Sequence, residues 1–241
     1  MMKGDLRKQA ILEAAETLFF EKGYIAATIQ DFLDVLGCSK GSFYHHFESK
    51  LQVLSALCGE KARKAYVQYS ETAYDTDLDR LNGLIYHAMP FRAGEEKTVA
   101  LLLPLEGMAD GNVVRQAIWD AQKQLFFPEL CRVLELLRAA GTVHYSQAIL
   151  PEILWDTYTV AYGHLMRQAA AIRAGGPTGG VIRLIEGERF LWQRLLDAPF
   201  GVIELVRGDE ALQVIGHAVS RIRRQEAQRE SENEESGEIF T

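Results

Sequence analysis

Between Ser39 and Lys50 the chain gathers side chains that can hydrogen-bond outward: Ser39, Lys40, Ser42, Tyr44, His45 and Lys50, with Gly41 among them. Two hydroxyls, a phenol, an imidazole and two ammonium groups suit phosphate oxygens and base edges better than bond-making chemistry. Catalysis needs a nucleophile beside a base, or ligands at metal spacing, and the sequence offers neither. His144, His164 and His217 stand apart, and Cys38, Cys58 and Cys131 lack CxxC or metal-ligand spacing. The GGPTGG stretch at 175–180 lacks the Lys-Ser/Thr that completes a phosphate loop, so it reads as an interhelix loop. The expectation is a non-enzyme with no cofactor and no metal.

The elements that position those groups read as two short helices around a tight turn. Thr28 caps a helix whose inner face is Ile29, Phe32, Leu33 and Leu36, with Asp31 as the capping-box partner. Gly37 ends it, and Ser39 caps a further helix to about Phe47. There Phe43 and Phe47, at i and i+4, pin the helix inward and leave Ser42, Tyr44 and His45 outside. This is the spacing of a DNA-reading helix-turn-helix. Helix N-termini at Thr28 and Ser39 suit phosphates, Lys50 would clamp another, and Gly41 would let the backbone approach closely. Plain αα packing, with Tyr44 half-buried, gives the same pattern.

The charge balance limits how such a head would bind. The net charge is −7, but residues 226–241 carry six Glu against Arg229, a net of −5, which leaves −2 elsewhere. That acidic stretch reads as a disordered tail. Residues 1–50 hold six Lys/Arg against seven Asp/Glu, so no general basic field attracts nucleic acid. Hydrophobic residues make up 48% of the chain, enough for a real core. No apolar run reaches the length of a membrane span, and the N-terminus lacks the apolar core of a secretion signal. A reduced, cytoplasmic protein is expected.

Strand alternation is missing throughout, so the fold class is all-α. The first helix carries Leu6, Ala10, Ile11, Ala14, Leu18 and Phe19, with Gly23 as its C-cap. A fourth helix runs from near Lys50 to about Tyr69. Others are expected near 77–89, 96–108, 112–139, 147–173, 180–197 and 210–225, with Pro104, Pro128 and Pro151 as kinks or first turns. The domains follow: 1–50, a helix-turn-helix head; 51–225, a larger helical effector-binding and dimerisation domain joined by the long helix; 226–241, the tail.

Residues 7–54, with ILEAAETLF, EKGY, Thr28, SKGSFYHHF and SKLQVL at fixed spacings, resemble the N-terminal domain of the TetR (tetracycline repressor) family of transcriptional regulators. The resemblance implies a dimeric repressor that leaves its DNA when a small molecule binds the C-terminal domain. It implies DNA contacts from Thr28, Lys40, Gly41, Ser42, Tyr44, His45 and Lys50. The chain departs from the family at Ala27, where a second hydroxyl is usual, and at Phe32-Leu33, where Ile-Ala is usual. The first implies one phosphate contact fewer, the second a shifted packing of the two short helices.

One short recognition helix gives too little contact for specific binding, so a homodimer on a palindromic site is expected. Two stripes are candidates for the seam, with Tyr158, Leu165 and Ala169 on one helix and Ile185 and Trp192 on the next. The resemblance implies that this pair builds a four-helix bundle between subunits. The same stripes would equally face the subunit's own core, and some must. Tyr86, His87, Trp119, Gln122, Phe126, Trp155 and Tyr162 are candidates to line an effector cavity, or else plain core. With no charged cluster among them, an apolar or aromatic effector is expected. The other reading is a helical protein-interaction or small-molecule-binding module whose head no longer reads sequence.

Overall fold

A computed structural model describes residues 3–145 and 149–238. Every regular element among them is helical. In chain order they are α1 (Lys3–Ala26), α2 (Ile29–Leu36), α3 (Lys40–Tyr44), α4 (Lys50–Glu71), α5 (Asp77–Ala88), α6 (Glu96–Leu102), a 3-10 turn (Leu103–Leu105), α7 (Ala109–Ala139), α8 (Leu150–Arg173), α9 (Gly179–Leu195) and α10 (Gly208–Glu238).

Thr28 caps α2 as expected, and Ser49 and Thr76 do the same for α4 and α5. Thr28, Ser49 and Thr76 each accept a hydrogen bond from the backbone N–H three residues on, and Thr28–Asp31 and Thr76–Asp79 close full capping boxes. Gly23 bends α1 rather than ending it: at φ 71° and ψ 155° it leaves the helical path, and one more turn follows to Ala26. At the start of α7, a Cβ on Gly111 would lie 2.1 Å from the Leu105 carbonyl oxygen, so only glycine lets α7 approach the 3-10 turn this closely. Pro151 occupies the first turn of α8, where its missing N–H costs nothing, whereas Pro128 lies inside α7.

Helix α4 packs along α7, α5 lies against both, and α8 pairs with α9. One apolar cluster runs from Ile11 in the head to Ile222 in α10, continuous across the expected boundary at residue 50. Through the stretch expected to be a disordered tail, α10 continues to Glu238. Its Glu, Gln, Arg and Ala residues extend a nucleus already held against the core, and adding a turn is far easier than starting one. Arg173 of α8 reaches Glu226 in an ion pair within that stretch. Helix α10 also crosses to the head, where Arg221 and Gln225 donate to the Phe20 carbonyl.

Candidate nucleic-acid interface and control elements

Three residues, Gly37 to Ser39, turn α2 into α3. Gly37 takes the left-handed conformation at φ 55°, and its N–H bonds the Leu33 carbonyl. A chain of rings, Phe19–Phe32–Phe43–Phe47, locks α3 to α1 and α2, with centroids 5.6, 5.6 and 6.4 Å apart. Phe32 and Phe43 are fully buried. The outward set is exposed as expected: Ser39, Lys40, Gly41 and His45 face solvent, Ser42 is half-exposed, and Tyr44 is 43% exposed. The Tyr44 ring stands edge-on to Phe43 at 5.5 Å, which fixes its direction while the hydroxyl stays outside. His46, which the sequence pattern passed over, lies 4.9 Å from His45 in a T-shaped contact.

Other groups in the head are engaged. The Thr28 hydroxyl bonds the Asp31 carboxylate, and Lys22 pairs with that carboxylate at 2.6 Å. Lys22 and the Thr28 backbone hold the Asp31 carboxyl below its usual range. Ser39 Oγ accepts the Ser42 N–H. Ala27 is buried, so its side chain points away from the face that Thr28 presents. Leu33 is half-buried against the core cluster.

Lys50 takes a role the sequence did not suggest. Its ammonium donates to the carbonyls of Tyr24 (2.7 Å), Ala27 (2.7 Å) and Ile25 (3.3 Å), and lies 4.4 Å from the Tyr24 ring centre. Those carbonyls end α1, where a cation is favoured by the helix dipole. Partial burial lowers the Lys50 pKa, opposed by Asp110 and Asp31. Tyr24 donates its hydroxyl to Asp110 at 2.8 Å, in the first turn of α7, and burial together with this hydrogen bond raises its pKa. Lys50, Tyr24 and Asp110 thus tie the end of α1 to the larger domain. Lys50, expected as a phosphate clamp, here caps the end of α1, and the spacing of EKGY to Lys50 gave no sign of this cap.

The proposed effector set divides. His87, Gln122 and Tyr162 meet around a cavity of about 40 Å³ bounded by α4 to α8. Tyr86, Trp119, Phe126 and Trp155 do not line it. Tyr86 donates to Glu210 of α10, and Trp119 stands edge-on to Tyr162. Phe126 is fully buried against Tyr66, while Trp155 packs on Tyr158 and Phe127. Gln122 donates to the Ala88 carbonyl and accepts from Tyr158, whereas the buried His87 Nδ1 has no partner. Burial lowers the His87 pKa, and Arg92 adds to the shift, favouring the neutral imidazole.

The proposed seam residues face inward. Tyr158, Leu165, Ala169, Ile185 and Trp192 are all buried inside the subunit. The outer face of the pair belongs to other residues: Ile153, Val160, Ile182, Phe190 and Leu191 are exposed, Val160 by 57% and Phe190 by 58%. A groove of about 480 Å³ between the outer faces of α8 and α9 is lined by Ile153, Val160, Leu184 and Leu191, with Gly187 and Glu188 alongside. Glu188 accepts from Trp192 Nε1 at 2.8 Å, and burial raises its pKa.

Residues 11–57, the whole span from the first buried turn of α1 through α3 into α4, match the pattern of "Bacterial regulatory proteins, tetR family". The head is therefore similar to the part of those regulators that this pattern describes. Among curated relatives, the HTH-type transcriptional repressor KstR2 of Mycobacterium tuberculosis H37Rv is 35% identical over 80 residues, 32% of this chain and 40% of that protein. The HTH-type transcriptional repressor AcnR of Corynebacterium diphtheriae is 39% identical over 59 residues, 24% of this chain and 31% of that protein. The matched stretch is thus about two fifths or less of these relatives' length. Salmonella enterica GusR superposes on 82% of this chain and 99% of its own with a TM-score of 0.54 at 17% identity. That likeness is one of fold, and it extends past the TetR head into the larger helical domain.

Proposed function

We propose that the chain is a dimeric, sequence-specific DNA-binding transcriptional repressor, acting in the cytoplasm and released from a palindromic operator by a small effector. The observation that carries this reading is the α3 surface. Its inward side is locked by buried rings, and its outward side offers Lys40, Gly41, Ser42, Tyr44 and His45 with no partner element covering them. A rigid helix with free polar groups is what base reading in the major groove requires. Thr28 and Ser39 would lie nearest the flanking phosphates. The relatives that share this head are named repressors.

Dimerisation would use the outer α8–α9 face around Val160 and Leu191, and the two heads would sit about 34–36 Å apart, one DNA turn. An effector would enter the His87–Gln122–Tyr162 cavity. At about 40 Å³ it holds little more than water in this state, so a ligand must push its walls apart. The movement would reach the heads through α4, which begins at the Lys50 cap and lines the cavity with Cys58, Ala62 and Ala65. Enrichment of random duplexes on the purified protein tests the reading. A palindrome with half-sites about one turn apart is expected, and absence of any enriched sequence would instead support a helical interaction module.

A further inference from the structure

A second cavity, about 120 Å³, lies at the junction of head and larger domain and shares Lys61 with the His87 cavity. Its walls come from α1, α4, α6 and α10, so it is bounded on one side by the head itself. The inner lining is apolar: Phe19, Leu57, Ala100 and Leu101 are all buried. The rim holds three cations, Lys61, Lys97 and Arg221, against one carboxylate, Glu16. Glu16 is already matched by Lys61 at 2.8 Å. Lys97 and Arg221 have no carboxylate within ion-pair distance among the described residues. Both instead lie against the Phe20 ring, Lys97 at 4.3 Å from its centre.

Arg221 is the informative group. One terminal nitrogen donates to the Phe20 carbonyl, but its Nε is buried with no hydrogen-bond partner. Burial and the neighbouring Arg224 lower its pKa, outweighing Glu21. A buried donor left unmatched, two like charges sharing one ring, and an apolar chamber behind them form one arrangement that a single anion would complete. A chamber of ~150 Å³ holds a benzene ring, so this one takes a body of about that size with its charged end at the rim.

We propose that this junction binds a small aromatic monocarboxylate, its carboxylate between Lys97 and Arg221 and its ring against Phe19, Leu57, Ala100 and Leu101. Because α1 forms one wall and α10 another, occupancy ties the head to the larger domain.

Benzoate is the probe, titrated calorimetrically into the full-length protein, with benzamide as its neutral counterpart. Saturable benzoate binding that weakens with salt is expected, with no matching binding of benzamide. Lys97→Gln, an exposed position where the fold is safe, and Arg221→Gln should each weaken binding about ten-fold, the effect of removing one charge-assisted hydrogen bond. Gln122→Leu, in the other cavity, should leave it unchanged. No saturable binding at millimolar benzoate, equal binding of benzamide, or affinity unmoved by Lys97→Gln overturns the proposal. So does loss of binding in Gln122→Leu with retention in Lys97→Gln. None of these measurements involves DNA, so the proposal and the repressor reading fail separately.

Discussion

Along α3 in the head, the side chains facing solvent are polar, and those facing inward are the aromatic rings of Phe43 and, just beyond, Phe47. In the α8–α9 pair, both faces are apolar. The first case is readable from periodicity, because one face has only one possible destination. The second is not, because a helix that must bury one apolar face in its own subunit and offers another outward gives two answers to the same pattern. Size does not separate the faces: Tyr158, Leu165 and Trp192 form the inner stripe, while Val160, Phe190 and the flanking Ile153 and Leu191 form the outer one. An apolar stripe states that a face is dry in the final state, and says nothing of whose surface dries it.

The comparison breaks most sharply at Val160. Val160→Asp should abolish the proposed dimer by burying unpaired charges across its two-fold axis, at several kcal/mol, while the subunit stays folded; sedimentation and circular dichroism separate the two effects. Its inner neighbour should do the reverse. Leu165→Ala should cost about 2–5 kcal/mol in denaturant unfolding and leave the oligomeric state alone. A dimer abolished by Leu165→Ala and kept by Val160→Asp would reverse the assignment of faces.

On the head side, Tyr44→Ala should weaken operator binding by about 100-fold or more, since each base-edge interaction is worth ~1–3 kcal/mol and a dimer forfeits two. Stability should barely move, because the hydroxyl and much of the ring are exposed. Unchanged operator affinity in this variant would remove α3 from the reading role.

Lys50→Met tests the cap. It should lower head stability by about 1–3 kcal/mol by stranding carbonyls at the end of α1, without changing the slope of affinity against salt. Lys40→Ala, at an exposed lysine, should flatten that slope by about one unit for each phosphate no longer neutralised. A flattened slope in Lys50→Met would return Lys50 to the phosphates.

The smallest effect is expected at Glu188. Its folded pKa is raised by burial, so its contribution favours folding when protonated and is lost as pH rises through that raised value. Glu188→Gln should therefore be modestly more stable than the wild type at pH 7, and should lack the wild type's gain in stability on acidification toward pH 5. Parallel pH profiles in thermal melts would mean that burying the carboxylate is not destabilising.

The effector set shows the same limit as the seam. His87, Gln122 and Tyr162 meet in one cavity, yet Tyr86, Trp119, Phe126 and Trp155, equally large and amphipathic in the sequence, pack against other partners. Side-chain type marks a residue as able to line a cavity, but where helices leave a gap depends on crossing angles and on the volumes of every neighbour. Lys50 and Arg221 went unread for a related reason: their partners, Tyr24, Ala27 and Phe20, are remote along the chain.

By itself, then, the sequence determined what depends on near neighbours: the all-helical course, the Thr28 and Ser39 caps, the Gly37 turn, the aromatic lock under α3 and the polar residues above it. Caps, turns and helix faces act over three or four residues, so they are written in the local order of the chain. Only the tertiary structure decided which face of α8 and α9 is inside, that Lys50 closes α1, that α10 continues across to the head, and that cations gather over an apolar chamber there. Those outcomes rest on contacts between segments up to about two hundred residues apart, whose meeting is set by how the whole apolar surface is buried.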